Sequence, residues 1–200
     1  MNKLNLSSKF LDLVDFMKFL HEFRAIERKA RVPNSKRNEN DAEHSYQLAM
    51  VAWFLIDQNN LNLNKELCFM YALSHDLVET YAGDTPIFDK TATLTKEKRE
   101  KEAFILMEKR FSNFNSLLKF IHKYEKKEDE ESKFIYALDK LIDPVQIFME
   151  DGKLWHDHNL SFEEIVGYKS EKILLSSDVN KYWQELLAEI TLNKEKFFPR

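Results

Sequence analysis

Residues 72–84 read ALSHDLVETYAGD, an apolar helical run in which His75 and Asp76 stand side by side and Glu79 and Asp84 follow at short spacing. Ionisable groups on the buried side of a helix are costly unless something shares their charge. On a continuous helix His75 and Glu79, four residues apart, share one face, and Asp76 is turned by about 100° from His75. A long imidazole and a short carboxylate at adjacent positions can still converge on one ion beside the helix. One such pair does not close a metal site, because catalytic divalent sites commonly use three or more protein ligands plus water.

The surroundings of this stretch read as helix throughout. Glycine and proline number three and four in 200 residues, and apolar residues recur at three-and-four spacing over long stretches, which is an all-α signature. The pattern predicts helices at about 7–30, 42–58, 64–81, 95–111, 113–126, 130–150, 161–175 and 178–195. "RVPNSKRNEND" reads as a polar loop ending at an Asp41 N-cap, "GDTP" interrupts after residue 82, and Ser161 with Glu164 forms a capping box. The run "YEKKEDEESK" reads as two solvated helix ends with a turn between them.

At 44% apolar and 32% charged, the 200 residues fit one globular domain spanning 1–200 with a substantial core. Thirty basic against 34 acidic residues, net charge −4, with no basic stripe, argue against a nucleic-acid polymer as partner. Cys68 is the only cysteine, which rules out intrachain disulfides and Cys-rich zinc sites and suits a reducing cytoplasm. The longest charge-free apolar run is too short to span a bilayer, so the expectation is a soluble chain with no membrane partner.

Two further donors stand out. His44 in "ENDAEHSYQLAM" lies in the first turn of a helix whose Leu48, Val51, Ala52 and Leu55 face the core, and Asp139 in "FIYALDKLID" sits among Ile135, Leu138, Leu141 and Ile142. Taken singly, each reads as a cap or a polar edge. In order, His then His-Asp then Asp, they supply nitrogen and oxygen donors suited to manganese, cobalt, iron or zinc.

The motifs "EHS" at 43–45, "HDLVE" at 75–79, "GD" at 83–84 and "ALDKL" at 137–141 resemble those of the HD-domain metal-dependent phosphohydrolases. "RNENDAEHSYQLAM", "SHDLVETYAGD", "YEKKEDEESKFIYALDKL" and "WHDHNLSFEEI" together are similar to the HD-domain 5'-deoxynucleotidase group, over about residues 15 to 165. The resemblance implies a helical bundle with its core at about 40–145 and one divalent ion held by His44, His75, Asp76 and Asp139. It also implies Glu79 and Asp84 as acid/base residues, Arg28 in "IERKARV" as the phosphate clamp, a small nucleotide as substrate, and a homodimer. Arg24 is the second candidate for the clamp, and Arg37 could contact phosphate or brace Glu43. His156 and His158 fall on a predicted loop and, like His21 and His122, read as surface or structural residues. Where the deoxynucleotidases place an aromatic residue after the phosphate arginine, this chain has Lys29, Ala30 and Arg31. A weaker preference for deoxyribose is therefore expected. Guanosine tetraphosphate hydrolysis is a rival activity, but those enzymes usually carry an acid where this chain has Thr80. A triphosphohydrolase and a non-catalytic metal-bound regulatory module are also compatible with the same motifs.

Overall fold

The computed structural model describes residues 6–86 and 89–198. Helix α1 (Ser8–Arg24) opens on a Ser7 cap and stops at Ala25, short of the expected residue 30. The chain then forms strand β1 (Glu27–Arg31), paired antiparallel with β2 (Asn38–Asn40). In "ERKAR" the burial alternates, with Arg28 and Ala30 inward and Glu27 and Lys29 outward. That two-residue period places the Arg28 side chain inside the protein. A polar strand carries no hydrophobic alternation, so its sequence reads as the end of a helix.

Helix α2 (Asp41–Gln58) begins with a reciprocal capping box between Asn40 and Glu43. The cap is thus Asn40 rather than the expected Asp41, and Asp41 is free to turn inward, where it is fully buried. Helix α3 (Lys65–Ser74) ends where the sequence predicts continuity to 81. Residues 75–78 form tight turns, with Leu77 N to Ser74 O and Glu79 N to Asp76 O bonds of the i to i−3 kind, before the short α4 (Glu79–Ala82). His75 and Glu79 therefore do not share one continuous helical face. Buried Leu77 and Val78 fix this break against α1 and the next helix, within a cluster that includes Phe19, Phe23, Met107 and Phe111.

Helix α5 (Lys90–Arg110) starts five residues before the predicted 95, capped by Asp89. Helices α6 (Asn115–Lys126), α7 (Glu130–Met149), α9 (Phe162–Ile173) and α10 (Ser177–Leu192) fall where the periodicity puts them, and Ser161 and Glu164 form the expected box. Two short helices, α8 (Lys153–Asp157) and α11 (Lys194–Phe197), have no counterpart in the predicted pattern, and α8 carries His156, expected on a loop. The larger core cluster joins α2, α3, α7, α9 and α10 around Leu48, Tyr71, Ile135, Leu138 and Trp183. Residues 75–78 lie where it meets the α1/α5/α6 cluster, so both sides of the break are held by apolar packing. Among the described residues no helix is long and apolar enough to cross a membrane.

Candidate metal centre and pocket

The face of α2 that buries Leu48 also buries His44, one turn earlier, and the inward face of α7 buries Asp139 beside Leu138. The α3–α4 break brings His75 and Asp76 to the same point. His44 Nε2 lies 3.0 Å from Asp139 Oδ1, and His75 Nε2 lies 2.9 Å from Asp76 Oδ2 and 3.9 Å from Asp139 Oδ1. The two imidazole rings are 5.6 Å apart, and Tyr124 packs edge-on against His75. All four residues expected to hold the ion are thus gathered in one place.

The chemistry of this set favours a cation. His75 Nδ1 is 3.0 Å from the Ala72 carbonyl, which can only accept, so Nδ1 carries a proton and, in the neutral ring, Nε2 presents a bare lone pair. That Nε2 is buried without a hydrogen-bond partner and faces carboxylate oxygens, acceptor against acceptor. A positive ion between them resolves the conflict, and the His/Asp donors fit a divalent metal. Burial and the Arg28 charge push the His44 imidazole down, but hydrogen bonds to Asp139 and Glu39 outweigh them and lift it to about 9. Asp139 is held well below the carboxylate range because Lys140, 2.5 Å away, and the two histidines overcome the burial cost. Asp76 is likewise held low, against burial, by His75 and Arg28.

Arg28 reaches this centre from β1. Its Nη1 donates to Asp76 Oδ2 at 3.2 Å and to Asp41 Oδ1 at 3.4 Å, and its Nη2 to Asp143 Oδ1 at 3.4 Å. Burial works against its charge, but Asp143, Asp76 and the other acids more than compensate and keep it cationic. Arg24, the second candidate for the clamp, is exposed and lines a different, apolar groove with His21. Arg37 forks onto Glu43 at 2.7 and 2.8 Å and so braces the α2 cap. His156 bonds to the Lys196 carbonyl, and His122 stacks on Phe104, both away from the centre.

Glu79 opens α4, buried, with one carboxylate oxygen 3.5 Å from Lys96 Nζ and the other unpartnered. Burial and the nearby Asp76 charge raise its pKa well above the ordinary range. Asp84 follows Gly83, which adopts a φ of +75° that a glycine takes without strain, and burial raises its carboxyl as well. One pocket is lined by Arg28, Asp76, Glu79, Asp84 and Asp139. Its lining also includes the apolar Ile147, Leu154, Leu160 and Ile165 and the aromatic Tyr168.

Several residues in and beside the pocket give no signal strong enough to single them out in the sequence. Asp41, Asp76 and Glu79 form a second group of converging acids, and burial with the Asp76 charge raises Asp41 to about 7. Asp143, one turn after Asp139, pairs with Lys169 at 3.5 Å as well as with Arg28. The i+4 spacing of Asp143 from Asp139 and the i−3 spacing of Asp41 from His44 are the available hints.

The HD-domain family model matches residues 20–181. The chain belongs to the HD-domain family. It is 30% identical over 135 residues to the 5'-deoxynucleotidase HDDC2 of Danio rerio, a match covering 65% of each chain. It is 24% identical over 186 residues to the 5'-deoxynucleotidase hdd1 of Schizosaccharomyces pombe, covering 90% of this chain and 92% of that one. The chain thus matches just under two thirds of the zebrafish relative and nearly all of the fission-yeast one. Among solved structures, a predicted metal-dependent phosphohydrolase from Magnetospirillum magnetotacticum superposes with a TM-score of 0.80 at 26% identity, covering 96% of this chain and 99% of that one. The HD-domain fold expected from the motifs is borne out.

Proposed function

We propose that this HD-domain protein is a metal-dependent phosphohydrolase that removes phosphate from a small monoester, a (deoxy)nucleoside 5'-monophosphate. The observation that carries the reading is the buried His75 Nε2, with no hydrogen-bond partner, set against Asp76 and Asp139, two carboxylates that line a pocket together with Arg28, Glu79 and Asp84. The names of the zebrafish and fission-yeast relatives support the substrate class. Five cations and five carboxylates line the pocket among the described residues, so a divalent ion leaves it a positive surplus suited to a phosphate dianion.

In this reading His44, His75, Asp76 and Asp139 hold one divalent ion, which supplies Lewis-acid charge beside the phosphoryl group and makes water easier to ionise. Arg28 grips phosphate oxygens through its fork, exchanging its long contacts to Asp76 and Asp143 for shorter ones to substrate. Burial raises the Glu79 carboxyl and Lys96 steadies its charged form, so it can give a proton to the departing oxygen as the acid or take one from the attacking water as the carboxylate. Asp84 serves as the second acid/base group from the turn after α4. The apolar lining of the pocket receives the nucleoside.

We assign the protein to the cytoplasm from its single cysteine, Cys68, and the small nucleotide substrate. We also propose a homodimer. An apolar groove of about 690 Å³ runs between α1, α3 and α6, floored in part by Ala42 and Ser45, and the exposed Tyr46, Met50, Trp53 and Phe54 extend the same side of α2. Such a face can bury the ~800 Å² per partner that a stable interface needs.

The test is to screen the metal-loaded protein against nucleoside mono-, di- and triphosphates and guanosine tetraphosphate and to identify the phosphate species released. Inorganic phosphate from monophosphates supports the proposal. Pyrophosphate or tripolyphosphate favours the rival hydrolases, and no release favours a binding module.

A further inference from the structure

The turn that carries Asp84 has little structure of its own. Residues 83–86 lie outside helix and strand, Gly83 has φ +75° and ψ 148°, and the backbone bond that ties its start to α4 runs from Gly83 N to Glu79 O. Yet Asp84, Thr85 and Pro86 all line the pocket, so the backbone path here decides where the Asp84 carboxylate points. Asp84 makes no side-chain hydrogen bond among the described residues that would fix it directly.

One side chain on α5 closes around this turn. Arg99 Nη1 donates to the Ala82 carbonyl and, at 3.5 Å, to the Gly83 carbonyl. Arg99 Nη2 donates to Thr85 Oγ1 at 2.6 Å and to the Ala92 carbonyl at 3.3 Å, and Nε to Thr95 Oγ1 at 3.4 Å. Among the described residues, every side-chain hydrogen bond to residues 82–86 comes from Arg99. Ala82 and Gly83 present the carbonyls left open at the end of α4, where a cation is also favoured by the peptide dipoles. Thr85, on the other side of Asp84, is buried. The guanidinium therefore holds the residues on both sides of Asp84.

We propose that Arg99 is a positioning residue for the reaction: from α5 it fixes the backbone of residues 82–85 and thereby sets the Asp84 carboxylate in the pocket. The proposal rests on the role given to Asp84 above. A lysine would not substitute, because a single ammonium cannot span the Ala82 carbonyl, Thr85 Oγ1 and the Ala92 carbonyl as a planar fork does. The charged helix α5 packs beside α4 at this point, where Lys96, one turn before Arg99, meets Glu79.

The experiment is a double-mutant cycle on the metal-loaded protein with Arg99→Ala, Asp84→Asn and both together, measuring kcat, KM, bound metal and melting temperature. Arg99→Ala is expected to lower kcat by ~10–100-fold, the scale of a misplaced reactive group, with KM changed less and metal retained. Because Arg99 acts through Asp84, the double variant should be no slower than Asp84→Asn alone, and free guanidinium should restore part of the kcat of Arg99→Ala but none of the double variant's. Losses that multiply, or a kcat near wild type in Arg99→Ala, overturn the proposal while leaving Asp84 in place. A normal kcat in Asp84→Asn removes the role of Asp84 itself and the Arg99 proposal with it. Arg99→Lys covers the case in which the alanine variant does not fold: it should lose kcat by ~10-fold at a near-normal melting temperature, and an unchanged kcat overturns the proposal.

Discussion

Stripped of metal, this protein should lose stability steadily as the pH rises from about 5.5 to about 8.5. Asp41 titrates at about 7 in the fold against an ordinary 3.8. The unfolded chain has therefore already released this proton across the whole range, whereas the folded one keeps it until near neutrality. Each pH unit in which only the folded state holds the proton removes ~1.4 kcal/mol of stability, so Asp41 accounts for about 2 kcal/mol by pH 7. His44 behaves in the same direction at higher pH, because its folded value of about 9 exceeds the ordinary 6.5. Its stabilisation is complete below 6.5 and declines toward 9, about 3 kcal/mol by pH 8.5. Glu79, raised well above the ordinary range, adds to the fall. The lowered Asp76 and Asp139 contribute no slope here, since their stabilisation is already complete above about pH 5. At 2–4 °C per kcal/mol for a chain of roughly this size, the melting temperature in chelator should drop by about 10–20 °C across the range. Metal-loaded protein should diverge from it as pH rises, because ligand protons no longer compete. Thermal melts at three pH values, with chelator and with metal, provide the assay. A chelated melting temperature that stays flat or climbs with pH would show that protons on Asp41 and His44 do not stabilise the fold.

Substitutions in the pocket should separate the roles of its residues. Alanine at His75 or Asp76 should abolish metal retention after dialysis, and stoichiometric metal by elemental analysis in the double variant would remove the proposed centre. Glu79→Gln should keep the metal while kcat falls by ~10²-fold or more. Arg28→Ala should lower kcat/KM strongly and Arg28→Lys recover it only in part, whereas Arg24→Ala, altered in the apolar groove, should be near normal. With Lys29 at the pocket wall in place of an aromatic, kcat/KM for dAMP over AMP should stay under ~100-fold; a larger ratio means that another residue supplies the wall against the 2'-hydroxyl.

The helices are legible in the sequence because their buried faces repeat every three to four residues, and α7, α9 and α10 fall where that period puts them. The four gathered His and Asp side chains are legible for the same reason: each interrupts an apolar face. Arg28 is visible by resemblance, but its strand is not, because "ERKAR" buries a guanidinium and an alanine and leaves no apolar alternation to read. Two adjacent capping residues, Asn40 and Asp41, compete for one role, and only the structure shows that Asn40 takes it and frees Asp41 for Arg28. Lys169 and Asp143 lie on different helices, and Arg99 acts on backbone carbonyls. Such partnerships leave no local pattern. The break after Ser74 is hidden because Leu77 and Val78 continue the apolar count although they turn toward a second cluster.

In the proposed reading, one metal ion held by His44, His75, Asp76 and Asp139 supports release of phosphate from a nucleoside 5'-monophosphate. Its most direct test is to titrate metal-free protein with manganese or cobalt while recording bound metal and phosphate released from dAMP, in parallel with Asp139→Asn. Activity should rise in proportion to bound metal, saturate at one equivalent, and be absent from the Asp139→Asn variant, which should not retain the ion. Undiminished phosphate release by the metal-free protein, or by Asp139→Asn, would contradict the reading.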